Sequence, residues 1–246
     1  MANDYFRFRQ FTIKQDRCAM KVGTDGTLLG AWAAGGHTVL DIGTGTGLVA
    51  LMMAQRFPHA AVTAIDIDAD ACLQARSNAE RSPFARRVRV INMSLQQYLP
   101  LCSSTIGRES PRDHTTDTEH QHFDAIVCNP PYYSSKVVNN DAQRTLARNT
   151  SSLPYSTLFA AVSLLLAADG QFSAIIPSSC RDDFEREAVF AGLCICRQCD
   201  VSTMPGKAPS RHLLTFTLKT PPSIEHTTMV IGDRYFSQLT EDFYLV

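Results

Sequence analysis

The sequence predicts an α/β fold: a mostly parallel sheet with helices on both faces and an antiparallel hairpin at its edge. Three observations carry this expectation. From residue 38 onward, short runs rich in Val and Ile alternate with segments of helical period. The first of these runs passes through a glycine-rich turn into a helix, in "VLDIGTGTGLVAL" at 39–51. The last two runs follow one another with no helical segment between them, so one of the pair has to run antiparallel.

Taken in order, the strand segments are "TVLDIG" (38–43), "AVTAID" (61–66), "VRVINM" (88–93), "FDAIVC" (123–128), "FSAIIP" (172–177), "CICRQCDV" (194–201) and "HLLTFTLK" (212–219). Each is a short β-branched or apolar run, as expected of strands covered on both faces. The helical segments are "GLVALMMAQRF", "DACLQARSNAERS", "LQQYL", "YSTLFAAVSLLLAAD" and "RDDFEREAVFAGL". Residues 102–122 stand apart. They hold one aliphatic residue among Ser, Thr, His and charges, too little apolar surface to offset the entropy of ordering, and are expected to form a mobile loop. "TPPSIEHTT" (220–228) reads as a linker into a C-terminal tail. The 246 residues thus form a single domain, 1–246, with an N-terminal segment, 1–35, ahead of the sheet.

Composition excludes several classes. Hydrophobic residues make up 44% and charged residues 19%, which supplies a core and argues against global disorder. The longest apolar stretch, "LFAAVSLLLAA" at 158–168, falls short of the ~20 residues that span a bilayer. "MANDYFRFRQ" has no secretory hydrophobic region, so a cytoplasmic location with no membrane partner is expected. The eight cysteines are scattered and are expected to be reduced thiols. "CICRQC" offers three thiols with no histidine nearby, where a closed zinc site wants four ligands, so no metal is expected. The net charge of −1 argues against bulk electrostatic coating of nucleic acid.

The turn at 43–47 is built for a nucleotide-like ligand. Gly43, Gly45 and Gly47 let the main chain turn tightly beside a helix N-terminus. A phosphate-binding loop for NTP would end in Gly-Lys-Ser/Thr, and here the turn runs into Leu48. The dinucleotide fingerprint would place its third glycine at 48 rather than 47, which weakens an NAD reading. Asp66, 23 positions after Gly43 at the end of the second strand, can accept both hydroxyls of a ribose. Asp41 has two readings: it holds the loop, or it meets the ligand's amino group.

"NPPY" (129–132) follows the fourth strand. In such sheets the first and fourth strands are neighbours at the switch point where ligands bind, so this motif and the glycine turn face one pocket. An exocyclic amino group on a base is a poor nucleophile because its lone pair is delocalised into the ring. The Asn129 side-chain carbonyl and the Pro130 backbone carbonyl can both accept hydrogen bonds from that NH₂, aiming its lone pair at a methyl sulfonium. Pro131 fixes the backbone with Pro130, and Tyr132 stacks on the base for about 1–3 kcal/mol.

The Asn-Pro-Pro-Tyr motif with the glycine turn resembles the S-adenosylmethionine-dependent N-methyltransferases that act on adenine, cytosine or glutamine nitrogen. Beyond these motifs, "RCAMKVGTDGTLLGAWA" (17–33), "APSRHLLTFTL" (208–218) and "YFSQLTEDFYLV" (235–246) resemble the bacterial tRNA (adenine-N6)-methyltransferase family that modifies adenosine 37 of a valine tRNA. The resemblance implies a Rossmann-like seven-stranded methyltransferase sheet. It implies S-adenosylmethionine as cofactor, held by Lys21, Thr24, Asp25, Asp41, Gly43, Thr44, Gly45, Gly47, Asp66, Ile67, Ser94 and Asn129. Thr24 or Asp25 could equally serve as a helix N-cap. Many relatives carry an Asp-Ala type pair after the third strand for the cofactor's adenine, whereas "NMSLQQ" here offers Ser94 between Met93 and Leu95.

A tRNA partner calls for phosphate contacts. Residues 1–21 carry five cations (Arg7, Arg9, Lys14, Arg17, Lys21) against Asp4 and Asp16, a balance of +3. Arg7, Arg9 and Lys14 are interleaved with Phe6, Phe8 and Phe11, which suits RNA or an ordinary amphipathic strand. Arg144, Arg148, Lys207 and Arg211 are further candidates on the substrate side, and the chain is expected to act as a monomer. Competing readings are an rRNA or DNA adenine methyltransferase, a protein glutamine N-methyltransferase, and a nucleotide-binding module without catalysis. The glutamine enzymes usually carry a helical recognition domain ahead of the sheet, and about 35 residues stand there. A module without catalysis would have no use for Asn129.

Overall fold

The structure, a computed structural model, describes residues 4–18, 21–103, 122–131 and 153–245. Its frame is an eight-stranded sheet: β3 (Thr38–Ile42), β4 (Ala61–Asp66), β5 (Val88–Asn92), β6 (Phe123–Cys128), β7 (Leu166–Pro177), β8 (Cys194–Ser202), β9 (Arg211–Thr217) and β10 (Glu225–Val230). They lie side by side in the order β10-β8-β9-β7-β6-β3-β4-β5. Every pairing is parallel except those of β9 with β7 and β8. A separate hairpin, β1 (Tyr5–Arg7) and β2 (Thr12–Lys14), precedes it.

Helix α1 (Thr24–Trp32) is followed by α2 (Leu48–Arg56), α3 (Ala69–Glu80), α4 (Leu95–Ser103), α5 (Tyr155–Leu165), α6 (Arg181–Phe190) and α7 (Arg234–Thr240). Side chains alternate across each strand, so the two faces sort into two cores. Val39, Val62, Ala125 and Leu213 pack with Trp32, Leu51 and Met52, residues of α1 and α2. Leu40, Ile42, Ile126 and Leu214 pack with residues of α4, α5 and α6. The second core is held by Phe159, Phe172, Phe184 and Phe216, whose ring centroids stand 4.7–6.5 Å apart. On the other face α1 and α2 approach closely. A Cβ on Gly30 would sit 2.7 Å from the Met52 sulfur, so glycine lets the two helices touch.

The strands land where the sequence places them, with three departures. The hairpin partner does not lie at the sheet edge: β9 sits between β7 and β8, and β10 adds an eighth strand outside β8. Residues 220–228 are therefore only partly linker. Glu225–Val230 form a strand whose one buried side chain is Met229, too thin an apolar pattern to read as a strand. Third, α5 ends at Leu165 and the chain turns directly into β7, where the apolar run "LLLAAD" had extended the helix to 169. An apolar run buried in either state carries no period to choose by; Leu166 pairs with Phe123 and enters the sheet. The 102–122 loop lies almost wholly outside the described residues.

The described cysteines are free thiols, and among the described residues no group of three His, Cys, Asp or Glu side chains could hold a metal ion. No helix of the described residues is long and apolar enough to cross a membrane.

Candidate active site

The register between β3 and β6 sets the site. Ile42 pairs with Cys128, so the next residues along, Gly43 and Asn129, leave the sheet side by side at one edge. Both strands run parallel, which brings the glycine turn and the Asn-Pro-Pro segment together at the C-terminal ends of neighbouring strands. Asn129 and Pro131 are half-buried and Pro130 is buried. Tyr132, Arg144 and Arg148 lie outside the described residues.

The glycine turn has positive φ at all three glycines: 72° at Gly43, 54° at Gly45 and 82° at Gly47. This left-handed backbone is strained for any residue with a Cβ. A Cβ built on Gly43 would meet no atom of the described residues within 4 Å, so among these the main chain borders open space that a ligand can enter. A Cβ on Gly47 would press on Ala75, which is the closeness of turn to α3. The turn is pinned to β4, since the N–H groups of Gly43 and Thr44 donate to the Ile65 carbonyl at 2.9 and 3.0 Å.

Two carboxylates complete the frame. Asp66 ends β4, accepting from the Gly45 N–H on Oδ2 at 2.8 Å and from the Asp68 N–H on Oδ1 at 2.9 Å. Each oxygen keeps lone-pair capacity for a ligand hydroxyl. Ile67, the next residue, is half exposed. Asp41 is buried, and its Oδ2 accepts from the Thr44 hydroxyl at 2.6 Å and the Ala50 N–H at 3.1 Å. Asp41 therefore holds the loop, one of its two expected roles. Burial pushes its carboxyl up to about 7, against the pull of those two hydrogen bonds, and the nearby Asp66 charge adds to the rise.

At the end of β5, Ser94 caps α4 reciprocally with Gln97. The Gln97 N–H donates to the Ser94 hydroxyl at 3.2 Å, and the Ser94 N–H donates to Gln97 Oε1 at 3.1 Å. Met93 stands beside Asp66 through its N–H, which donates to the Asp66 carbonyl at 2.8 Å. These residues line up along the edge in the order a nucleoside would need: Asp66 for a ribose, then Met93 and Ser94 beyond it.

The N-terminal segment closes over the turn. Cys18 Sγ would lie 3.8 Å from a Cβ on Gly45. Two buried polar residues of α3, one turn apart and unremarked in the sequence, fasten it. Asn78 exchanges hydrogen bonds with the Lys14 backbone at 2.9 Å and also donates to the Thr46 carbonyl at 2.9 Å. Gln74 Oε1 accepts from the Arg17 N–H at 3.1 Å. A Gln and an Asn at i and i+4 on the buried side of a helix were the available signal.

Helix α1 begins after Gly23, and no side chain caps it, so neither Thr24 nor Asp25 is an N-cap. Asp25 accepts instead from Arg211 Nε at 2.8 Å, an ion pair that ties α1 to the start of β9. Arg211 is thus a brace. Lys21, Arg7, Lys14 and Lys207 are exposed. Arg9 Nε donates to the Tyr244 carbonyl at 2.8 Å, in a groove shared with Arg234 and Phe236. Phe8 and Phe11 are core residues and Phe6 is half-buried, so these three phenylalanines pack inward while Arg7, Arg9 and Lys14 face solvent.

Residues 39–107 match the family described as Methyltransferase domain. A solved predicted O-methyltransferase from Agrobacterium tumefaciens shares the fold, with a TM-score of 0.62 at 16% identity over 89% of this chain and 96% of that one. The tRNA1(Val) (adenine(37)-N6)-methyltransferase of Bacteroides thetaiotaomicron is 42% identical over 100% of this chain and 99% of its own. Its counterpart from Trichodesmium erythraeum is 40% identical with the same coverage. Identity of this degree along whole chains, on this fold and around this edge, means that the chain belongs to the tRNA1(Val) (adenine(37)-N6)-methyltransferase family.

Proposed function

We propose that the protein transfers a methyl group from S-adenosylmethionine to the exocyclic N6 of adenosine 37, beside the anticodon of a valine tRNA, as a single cytoplasmic catalytic domain. The observation that carries this is the β3–β6 register, which sets Asn129 next to Gly43. The donor set suits the cofactor: open space at Gly43, backbone at 43–47, a carboxylate at Asp66 and an apolar wall at Ile67 and Met93. When bound there, the cofactor supplies an electrophilic methyl carbon.

The chain's own residues do the rest by positioning. The Asn129 side-chain carbonyl and the Pro130 carbonyl accept the two N6 hydrogens, holding the amino group so that its lone pair points to the glycine turn. Tyr132 stacks on the adenine and keeps it out of the RNA strand. No strong base is required, because the methylated nitrogen is acidic and releases its proton to solvent. Lys21, Thr24 and Asp25 close the cofactor side, Ser94 borders its adenine, and Arg7, Arg9, Lys14, Arg144, Arg148 and Lys207 supply positive charge toward RNA, while Arg211 braces α1 through Asp25.

The test is methylation of tRNA from cells lacking the enzyme, with labelled cofactor, followed by nucleoside analysis. The expected result is N6-methyladenosine in one valine tRNA, with Asn129→Ala slower by about 10²–10³, the range for loss of one transition-state hydrogen-bonding group. Label in protein or DNA instead, or full activity from the variant, would overturn the assignment.

A further inference from the structure

Between β8 and β9 lie eight residues, "TMPGKAPS" at 203–210. Because β9 runs antiparallel between β7 and β8, β8 ends at the same edge as β6, and this connection emerges on the side of Asn129. Two to three strand spacings separate them, roughly 10–15 Å.

The connection is built rigidly. Pro205 fixes its φ, Gly206 has φ 75°, and the Lys207 N–H donates to the Met204 carbonyl at 3.3 Å, which together form a type II turn. The Ser202 hydroxyl donates to the Lys207 carbonyl at 3.0 Å. Just past the end of β7, the Ser178 hydroxyl donates to the Pro209 carbonyl at 2.6 Å, and the Ser178 N–H to the Ser210 carbonyl at 3.2 Å. The Ser178 N–H bond prolongs the β7–β9 ladder past the Pro177–Arg211 pair, and the Ser178 hydroxyl adds a further tie to Pro209.

What the bracing presents is one large flexible apolar side chain and one cation. Met204 is 56% exposed, residues 203–208 are all exposed, and the stretch holds Lys207 and no acidic residue. A single exposed methionine is ordinary on a protein surface. Held on a pre-shaped turn, beside a lysine and at the rim of the catalytic edge, it has the chemistry of a wedge against an unstacked base with a phosphate alongside. Anticodon-loop nucleotides are of that kind, and taking the target base out of its stack exposes the faces of its neighbours.

We propose that the Met204–Lys207 turn is an RNA-gripping element: Met204 packs against a loop base flanking the target adenosine, and Lys207 neutralises a phosphate of the same strand. This rests on the reading of the protein as a tRNA methyltransferase. At the connection's far end Arg211 donates to the Asp25 carboxylate at 2.8 Å and to the Ser210 carbonyl at 2.9 Å, which ties that end to α1.

The test uses the full-length protein and an unmodified valine tRNA transcript, with KM for the RNA, kcat, cofactor affinity and melting temperature measured for each variant. Met204→Glu is expected to raise the KM for tRNA about tenfold or more while kcat, cofactor affinity and melting temperature hold, and Met204→Leu to restore it. That tenfold is about 1.4 kcal/mol, within the range for one base stacked on a side chain. Lys207→Ala is expected to lower the slope of log affinity against log salt by about 0.7–0.9, the loss of one phosphate contact, with Lys207→Arg keeping it. Wild-type KM and wild-type salt slope in both variants would overturn the proposal, as would a fall in kcat or melting temperature with KM unchanged. Wild-type protein that methylates no tRNA would instead overturn the functional reading and remove the basis of this one.

Discussion

At the β3–β4–β5 half of the catalytic edge, polar groups are organised toward open space: positive-φ glycines, Asp66 bridging Gly45 and Asp68, and no atom of the described residues within 4 Å of a Cβ built on Gly43. At the β7–β9–β8–β10 half, polar groups are organised toward one another. Arg181 at the start of α6 reaches Glu185 at 2.6 Å, Gln198 at 3.1 Å and His212 at 3.2 Å. Asp200 on β8 lies between His212 on β9 at 2.7 Å and His226 on β10 at 3.0 Å. The first half leaves hydrogen-bonding capacity unspent, as a binding site must. The second consumes its own, and so serves as the rigid support from which the Met204 turn projects.

The largest effect that would break this contrast lies in the open half. Asp66→Ala removes a charged acceptor from both the turn and the ribose position. At about 1.5–3 kcal/mol per hydrogen bond to a charged group, cofactor affinity should fall at least about a hundredfold, measured by calorimetry, while the fold persists. An affinity within a few-fold of wild type would place the ribose elsewhere. A somewhat smaller effect belongs to the closed half. Asp200→Ala should cost about 2–3 kcal/mol of unfolding free energy, less than a fully buried pair because Asp200 keeps 15% of its side-chain exposure, and leave cofactor affinity unchanged. Burial works to raise the Asp200 carboxyl, yet the hydrogen bonds from His212 and His226 outweigh it and hold it below 3.8. A carboxyl depressed in the folded state lends stability above its unfolded value, and that stability is lost as pH falls through the folded value. The variant should therefore be clearly less stable than wild type at pH 6, with the gap narrowing as pH falls below 3.8; equal stability at pH 6 would mean the cluster braces nothing.

The two halves also differed in how well the sequence revealed them. That the glycine turn and Asn129 lie side by side was legible because each is marked by a local pattern at a strand end, and the parallel sheet's strand order then joins the pieces. Asn78 and Gln74 were not, because their partners, Lys14, Thr46 and Arg17, lie 32 to 64 positions away and nothing local marks them. The Asp200 cluster was hidden for the same reason, being assembled from α6, β8, β9 and β10. Strand β10 was missed because an edge strand with one buried residue has little alternation to show. The ion pair of Arg211 with Asp25 was hidden too, since the two lie far apart in sequence and only the fold brings them together.

The smallest effect sharpens the contrast at Asp41, where the open half stores a proton. Burial raises its carboxyl to about 7, so between 3.8 and 7 the folded protein binds a proton that the unfolded chain has released. Asp41's contribution to the stability of the ligand-free protein is then largest below 3.8 and declines as pH rises toward 7. A cationic ligand group next to this carboxyl favours the opposite state, since it is met by carboxylate and not by neutral acid. Cofactor affinity should therefore rise with pH, by up to about tenfold per unit below pH 7 and levelling off by about pH 8. Calorimetry at about pH 6 in two buffers of different ionisation enthalpy should register close to one proton released on binding, and almost none at about pH 8. Asp41→Asn, which keeps an acceptor for Thr44 and Ala50, should abolish both the release and the slope. If affinity proves flat with pH in the wild type, Asp41 holds the turn without meeting the cofactor's charge, and the opposed pH trends of stability and affinity vanish together.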